Sequence, residues 1–246
     1  MTQLNTIQEN LRVIQKRIEH ACKRCNRDAQ SVKLLLATKT VSPDRIKYAL
    51  KVGYTLIAEN KVQELKEKYN DLLDTPHTNH FIGHLQTNKI KDLLKCNVAC
   101  IHSIDRLDLA EKLQQRLEYE NKTIDVLIQV NTSLEESKFG IHPDKAIELV
   151  KQVAKLNRLT IKGLMTIGRF SAEEYLVRPC FVRLRNLRDE IKALHLPNVC
   201  MEELSMGMSQ DLEIAIEEGA TIVRVGTAIF GERIYPDSYY WNEQRA

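Results

Sequence analysis

Two periods run through the apolar positions of this chain. Leu4, Ile7, Leu11, Ile14, Ile18 and Cys22 recur at helical spacing, which predicts an amphipathic opening helix over residues 3–25. Beyond it, short apolar runs at 32–38, 55–59, 80–83, 99–104, 124–130, 161–167, 201–206 and 221–226 read as strands. Helical patterns follow them at 42–51, 61–73, 87–94, 106–119, 143–156, 173–194 and 209–218, with a shorter one after Gly231. Ser42-Pro43 and His142-Pro143 place proline where a helix begins, a position at which its missing N–H costs least.

Strand-then-helix repetition predicts a parallel sheet, since parallel neighbours need crossover connections. Eight such units in 246 residues fit a closed (β/α)8 barrel better than an open doubly wound sheet. The fold class expected is therefore α/β: a single TIM barrel, about 31–235, with an extra N-terminal helix, about 3–25. No glycine-, serine- or proline-rich linker divides the chain, so residues 1–246 read as one domain. The aromatic stretch 235–241 is expected to pack against the barrel.

Composition narrows the function classes. A hydrophobic fraction of 43% and a charged fraction of 28% describe a soluble globular protein. A net charge of +3, with basic residues scattered among acids, argues against nucleic acid as a partner. The polar start lacks an apolar signal region, and no apolar stretch is long enough for a bilayer, so a cytoplasmic location is expected. Six cysteines, including Cys22-x-x-Cys25 on a helical segment, read as reduced structural thiols. His77, His80 and His84 are spaced suggestively, but with no carboxylate or thiolate beside them no metal site is expected.

In such a barrel chemistry collects at the C-terminal strand ends, with phosphate usually beyond strands seven and eight. Those ends carry Lys39, Glu59-Asn60, Gly83-His84-Leu85-Gln86, Ser103, Asn131, Met165-Thr166, Ser205-Met206-Gly207 and Arg224-Val225-Gly226-Thr227. The strand interiors read as mostly apolar. Gly207 and Gly226 let backbone N–H groups approach an anion, Ser205 adds a hydroxyl, and Ser209 with the helix after it is expected to add a positive dipole end. Lys39, at the exit of the first strand, neighbours the eighth in a closed barrel. A lysine facing a phosphate cradle is the pair that pyridoxal 5'-phosphate (PLP) requires. It would equally serve a Schiff-base aldolase-like barrel acting on a sugar phosphate, with Glu59 or Asp105 as acid or base. Arg224 reads either as a donor to a pyridine nitrogen or as one half of an ion pair with Glu202 or Glu203.

The chain also resembles a known family, the pyridoxal phosphate homeostasis proteins. The resemblance is carried by Ala37-Thr38-Lys39-Thr40, Glu59-Asn60-Lys61-Val62-Gln63-Glu64 and His80-Phe81-Ile82-Gly83-His84-Leu85-Gln86-Thr87-Asn88-Lys89. It continues through Val130-Asn131, Glu136-Ser137-Lys138-Phe139-Gly140, Gly163-Leu164-Met165-Thr166, the run 204–212 and Val223-Arg224-Val225-Gly226-Thr227-Ala228-Ile229-Phe230-Gly231. It implies a barrel similar to the N-terminal domain of alanine racemase, holding PLP as an internal aldimine on Lys39. Ser205, Gly207, Gly226 and Thr227 would hold the phosphate, Arg224 would meet the ring nitrogen, and Asn60, His84 and Met165 would line the ring.

The resemblance further implies a carrier or buffer of PLP without robust turnover, with PLP and PLP-dependent apo-enzymes as partners; a monomer is expected from the lack of the racemases' second domain. The alternative within the same chemistry is an amino-acid racemase, which needs a base on each face of the substrate carbon. Related racemases take the second base from a C-terminal domain that this sequence does not show. One stretch departs from the family pattern: 167–172 reads Ile-Gly-Arg-Phe-Ser-Ala where relatives commonly have a proline-bearing loop. The shape of the sixth loop is therefore left open.

Overall fold

The structure, a computed structural model, describes residues 3–231. Eight parallel strands close into a barrel in sequence order: β1 (Lys33–Ala37), β2 (Leu56–Glu59), β3 (Thr78–Phe81), β4 (Val98–Ile104), β5 (Ile124–Gln129), β6 (Leu159–Met165), β7 (Val199–Ser205) and β8 (Ile222–Val225). Pairing of β1 with β8, Leu36 opposite Val225, seals it. This is the (β/α)8 fold expected from the pattern.

Helix α1 (Gln3–Arg24) precedes the barrel, and α2 (Pro43–Lys51), α3 (Val62–Leu72), α4 (Ile90–Leu94), α5 (Leu107–Glu120), α6 (Pro143–Val153), α7 (Glu174–Ala193), α8 (Leu212–Glu217) and α9 (Thr227–Phe230) follow the strands. Ile7, Leu11, Ile14 and Ile18 are buried along one stripe of α1, as their spacing requires. That stripe lies against α8 and α9, and Arg17 fixes it with two hydrogen bonds to the Glu213 carboxylate at 2.6 and 2.8 Å.

Three expectations change in detail. The segment 87–94 splits into a 3-10 turn (Thr87–Lys89) and the short α4. The third strand begins at Thr78 and ends at Phe81, so Gly83 and His84 stand beyond it. The helix expected at Ser209 begins only at Leu212, because the Asp211 carboxylate first takes the Met208 N–H at 2.6 Å and holds a turn there. The helix expected after Gly231 and the aromatic stretch 235–241 lie outside the described residues. None of the helices described is long and apolar enough to cross a membrane.

The largest departure concerns the inside of the barrel. Leu35, Ala58 and Ile222 form an apolar cluster there, but His102, Gln129, Ser205 and Arg224 are also buried, and they lie in or immediately beside strands. The main hydrophobic core instead fills the space between barrel and helices. A parallel barrel buries both faces of each strand, so polar residues within it need partners from neighbouring strands.

Candidate functional site

Lys39 occupies the turn immediately after β1, half-buried. Both of its neighbours are anchored. Thr38 donates its hydroxyl to Glu59 Oε1 at 2.7 Å, and its carbonyl accepts from Lys68 Nζ at 2.9 Å. Thr40, at φ 65°, donates its N–H to Glu64 Oε2 at 2.7 Å. Lys68 bridges the two carboxylates, at 2.8 Å from Glu59 and 3.1 Å from Glu64. Burial pushes the Glu59 carboxyl above its ordinary range, and Lys68 opposes that rise. The turn carrying Lys39 is thereby set by four side chains, although a β1 turn by itself specifies little.

Closure of β1 on β8 brings Ala37 against Gly226, where any Cβ on the glycine would lie 2.8 Å from the Ala37 carbonyl oxygen. Thr227 follows, exposed, at the start of α9, where N–H groups precede any intrahelical acceptor. Gly207, at φ 90°, follows β7, and its carbonyl accepts the Arg224 N–H at 2.9 Å. The β7 and β8 exits thus meet beside the Lys39 turn. Ser209 stands in this loop without opening a helix, so the dipole expected there does not form.

Asn60 and His84 come together because Gly83 touches the Asn60 backbone so closely that a Cβ would overlap its carbonyl oxygen. Asn60 Oδ1 and His84 Nδ1 are buried without a hydrogen-bond partner among the described residues, although Asp105 Oδ2 stands 3.8 Å from the imidazole nitrogen. The His84 ring stacks on Phe139 with centroids 4.0 Å apart, which closes the 131–140 loop over this side. Asn131 shapes that loop, donating to the carbonyls of Glu135 and Lys138, and Lys138 in turn donates to the Gly168 carbonyl at 2.7 Å. The 167–172 loop is tied to its neighbour through that bond. Met165 is buried at the end of β6 and packs with Cys100 and Leu127.

Arg224 makes neither of the ion pairs considered from sequence. Glu203 instead meets Lys33, and Lys162 approaches Glu202 at 3.9 Å. Arg224 is 5% exposed and donates to Ser205 Oγ at 2.9 Å and to the Thr166 carbonyl at 2.8 Å. Both acceptors are neutral. Burial pulls the guanidinium down to about 10, partly offset by Asp211. Ser205, read from sequence as a phosphate ligand, is fully buried, with its hydroxyl between Arg224 and His102. Sequence reading missed His102 and Lys68. His102 shares one face of β4 with Cys100 by strand alternation, and Lys68 follows Glu64 at i+4, signals that acquire meaning only with a partner strand in view.

The alanine racemase N-terminal domain family matches residues 2–234. A pyridoxal phosphate homeostasis protein of Aquifex aeolicus is 46% identical over 92% of this chain and 98% of its own. The crystal structure of an unknown protein from Bifidobacterium adolescentis superposes with a TM-score of 0.87 at 39% identity, covering 92% of this chain and 95% of that one. The PipY structure of Synechococcus elongatus with PLP bound aligns with a TM-score of 0.77 at 31% identity, covering 87% of this chain and 100% of that one. With the barrel closed in order and the motif residues gathered at one rim, this chain belongs to the pyridoxal phosphate homeostasis proteins, within the alanine racemase N-terminal domain family.

Proposed function

We propose that this chain binds PLP at the β1/β8 rim and holds it for delivery or buffering, without robust turnover of a substrate. The observation that carries this reading is the β1–β8 closure itself, which sets the Lys39 turn beside Gly226 and Thr227 with a buried arginine that makes no carboxylate contact among the described residues. PipY, a relative with PLP bound, and relatives named for PLP homeostasis support the same cofactor here.

The residues present fit the group. Gly226 and Gly207 let the loop backbones approach a phosphate, and Thr227 offers a hydroxyl beside open N–H groups. Asn60 Oδ1 and His84 Nδ1, after β2 and β3, are buried polar atoms without a hydrogen bond among the described residues, available to a ring substituent. The Lys39 amine would take the aldehyde. Bound PLP supplies an electron sink for amino-acid chemistry. Arg224 would temper that chemistry, since a guanidinium donating to the ring nitrogen keeps it unprotonated; related racemases work with the same arrangement, so a second base on the far face of the substrate carbon decides more than the arginine. Within this reading the protein acts as one barrel domain, as a cytoplasmic monomer, and passes PLP to apo-enzymes. Six thiols without disulfides accord with a reducing compartment.

The test is an absorbance spectrum of the protein with PLP, followed by borohydride reduction and peptide mass mapping. The adduct is expected on Lys39 and lost in Lys39→Ala. An adduct that persists on another lysine removes Lys39 from the role. A protein that takes up no PLP leaves the lysine and its loops to another ligand. Racemase and decarboxylase assays on the loaded protein, expected to show no robust rate, separate carrier from enzyme.

A further inference from the structure

We propose that His102 is a positioning residue for Arg224, acting through the Ser205 hydroxyl along a hydrogen-bonded chain that crosses the barrel interior from β8 to β3. The inference rests on the cofactor reading above, in which Arg224 meets the ring nitrogen of PLP.

The chain consists of three short contacts. Arg224 Nη1 lies 2.9 Å from Ser205 Oγ, Ser205 Oγ lies 3.0 Å from His102 Nδ1, and His102 Nε2 lies 2.8 Å from His80 Nδ1. The guanidinium can only donate, so Ser205 accepts from it. That leaves the hydroxyl proton to be placed. Donated to His102 Nδ1, it satisfies the serine and both nitrogens of His102. With the proton on Nδ1 instead, the serine would accept twice and its own O–H would be buried without an acceptor among the described residues, a costly arrangement. His102 therefore carries its proton on Nε2 and donates it to His80 Nδ1, and His80 carries its own on Nε2.

Charge supports the same assignment. Burial, His80 and Arg224 all hold His102 well below the ordinary imidazole range, and burial with Lys33 takes His80 to about 4. Both rings are neutral at pH 7, as a chain ending on a buried arginine demands.

The neighbouring Cys100 gives this cluster the composition of a metal site, since its sulfur and the two imidazoles lie within 4.8 Å of one another. The geometry points elsewhere. Two nitrogens on one tetrahedral zinc stand about 3.3 Å apart, given zinc–nitrogen distances of about 2.0–2.1 Å. His80 Nδ1 and His102 Nε2 are closer than that and share a proton, while His102 Nδ1 is committed to Ser205. Burial also pushes the Cys100 thiol far up, and acidic Asp125 and Glu203 add to it.

The consequence falls on Arg224. With its hydroxyl proton committed to His102, Ser205 presents a lone pair to the guanidinium, and the Thr166 carbonyl takes a second N–H. Two of the five donors are fixed to rigid strand ends, which orients the remaining three.

Two measurements test this. Two-bond proton–nitrogen spectra of the wild-type protein, without added PLP, should show His102 neutral and protonated on Nε2 at pH 7. Protonation on Nδ1, or a cationic ring, overturns the chain whether or not PLP binds. In absorbance titrations with PLP, His102→Phe should raise the dissociation constant roughly three- to tenfold, the equivalent of one neutral hydrogen bond. His102→Asn should restore most of it, because its carboxamide oxygen stands where Nδ1 accepts, whereas His102→Gln should not. Equal affinity across the series overturns the positioning role. Failure of the wild type to take up PLP overturns the cofactor reading alone, since the tautomer still reports on the chain.

Discussion

Two buried cations stand near the β8–β1–β2 side of the barrel, and they are treated differently. Lys68, behind the first two strands, is surrounded by Glu59, Glu64 and the Thr38 carbonyl. Arg224, on β8, reaches over β7 to the end of β6 and among the described residues donates only to the neutral oxygens of Ser205 and Thr166 from its side chain, with Asp211 acting at a distance. The first cation is compensated within the protein, so its work is to fix the turn on either side of Lys39. The second is desolvated without a carboxylate in contact among the described residues, so it retains donors for an acceptor brought from outside. A buried ion normally requires pairing. The contrast therefore separates a structural network from a ligand-directed one.

The sharpest way to break this comparison is to remove each cation. Lys68→Met leaves Glu59 and Glu64 facing each other across a buried site and should destabilise the fold by about 3–5 kcal/mol in urea unfolding. Adding Glu59→Gln should return part of that loss. Arg224→Leu deletes a charge whose buried counter-charge, Asp211, acts only at a distance, and should cost the fold less than Lys68→Met. A larger loss from the arginine would mean that it, too, is chiefly structural.

Acid tests the neutral chain beneath Arg224. His80 is held down to about 4, below its ordinary 6.5, so the unfolded state binds its proton first. Stability should then be complete above pH 6.5 and fall as pH drops from 6.5 toward 4, by on the order of 3 kcal/mol for this residue. Protonation of His102 in the unfolded state adds to the loss in the same direction. A urea midpoint that stays level between pH 7 and 5 would contradict neutral imidazoles in the interior.

The smallest effect is the most specific. Arg224→Leu should weaken PLP binding about tenfold or more, the loss of one hydrogen bond from a charged group worth roughly 1.5–3 kcal/mol, read by absorbance titration. Lys68→Met, where it folds, should weaken binding less at fixed Lys39 chemistry. Reversal of that order would shift the ligand-directed role to the α3 side.

Much of this was written locally. The β-strand runs and amphipathic helices follow from apolar spacing that survives in any tertiary setting. The buried stripe of α1 and the prolines opening α2 and α6 show it directly. The site was legible as far as strand ends reveal it. Lys39, the Gly207 and Gly226 loops and Thr227 all stand on the rim where their positions after predicted strands put them. The helix at Ser209 was misplaced because Asp211 competes for the backbone N–H of Met208, a choice between two local structures that periodicity does not weigh.

The partners inside the barrel were not legible. His102 and Ser205 are 103 positions apart in sequence, and Lys68 reaches Thr38 across 30. Alternation within a strand says which residues share a face, but barrel register decides which of them meet. The sequence by itself determined the eight repeated units, the amphipathic helix before them and the lysine and glycine loops at their ends, because each depends on neighbours a few residues away. The tertiary structure alone decided that Ser205 serves Arg224 and that Lys68 serves the Lys39 turn. Buried polar groups must find partners, and closure of the sheet sets which ones lie within hydrogen-bonding reach.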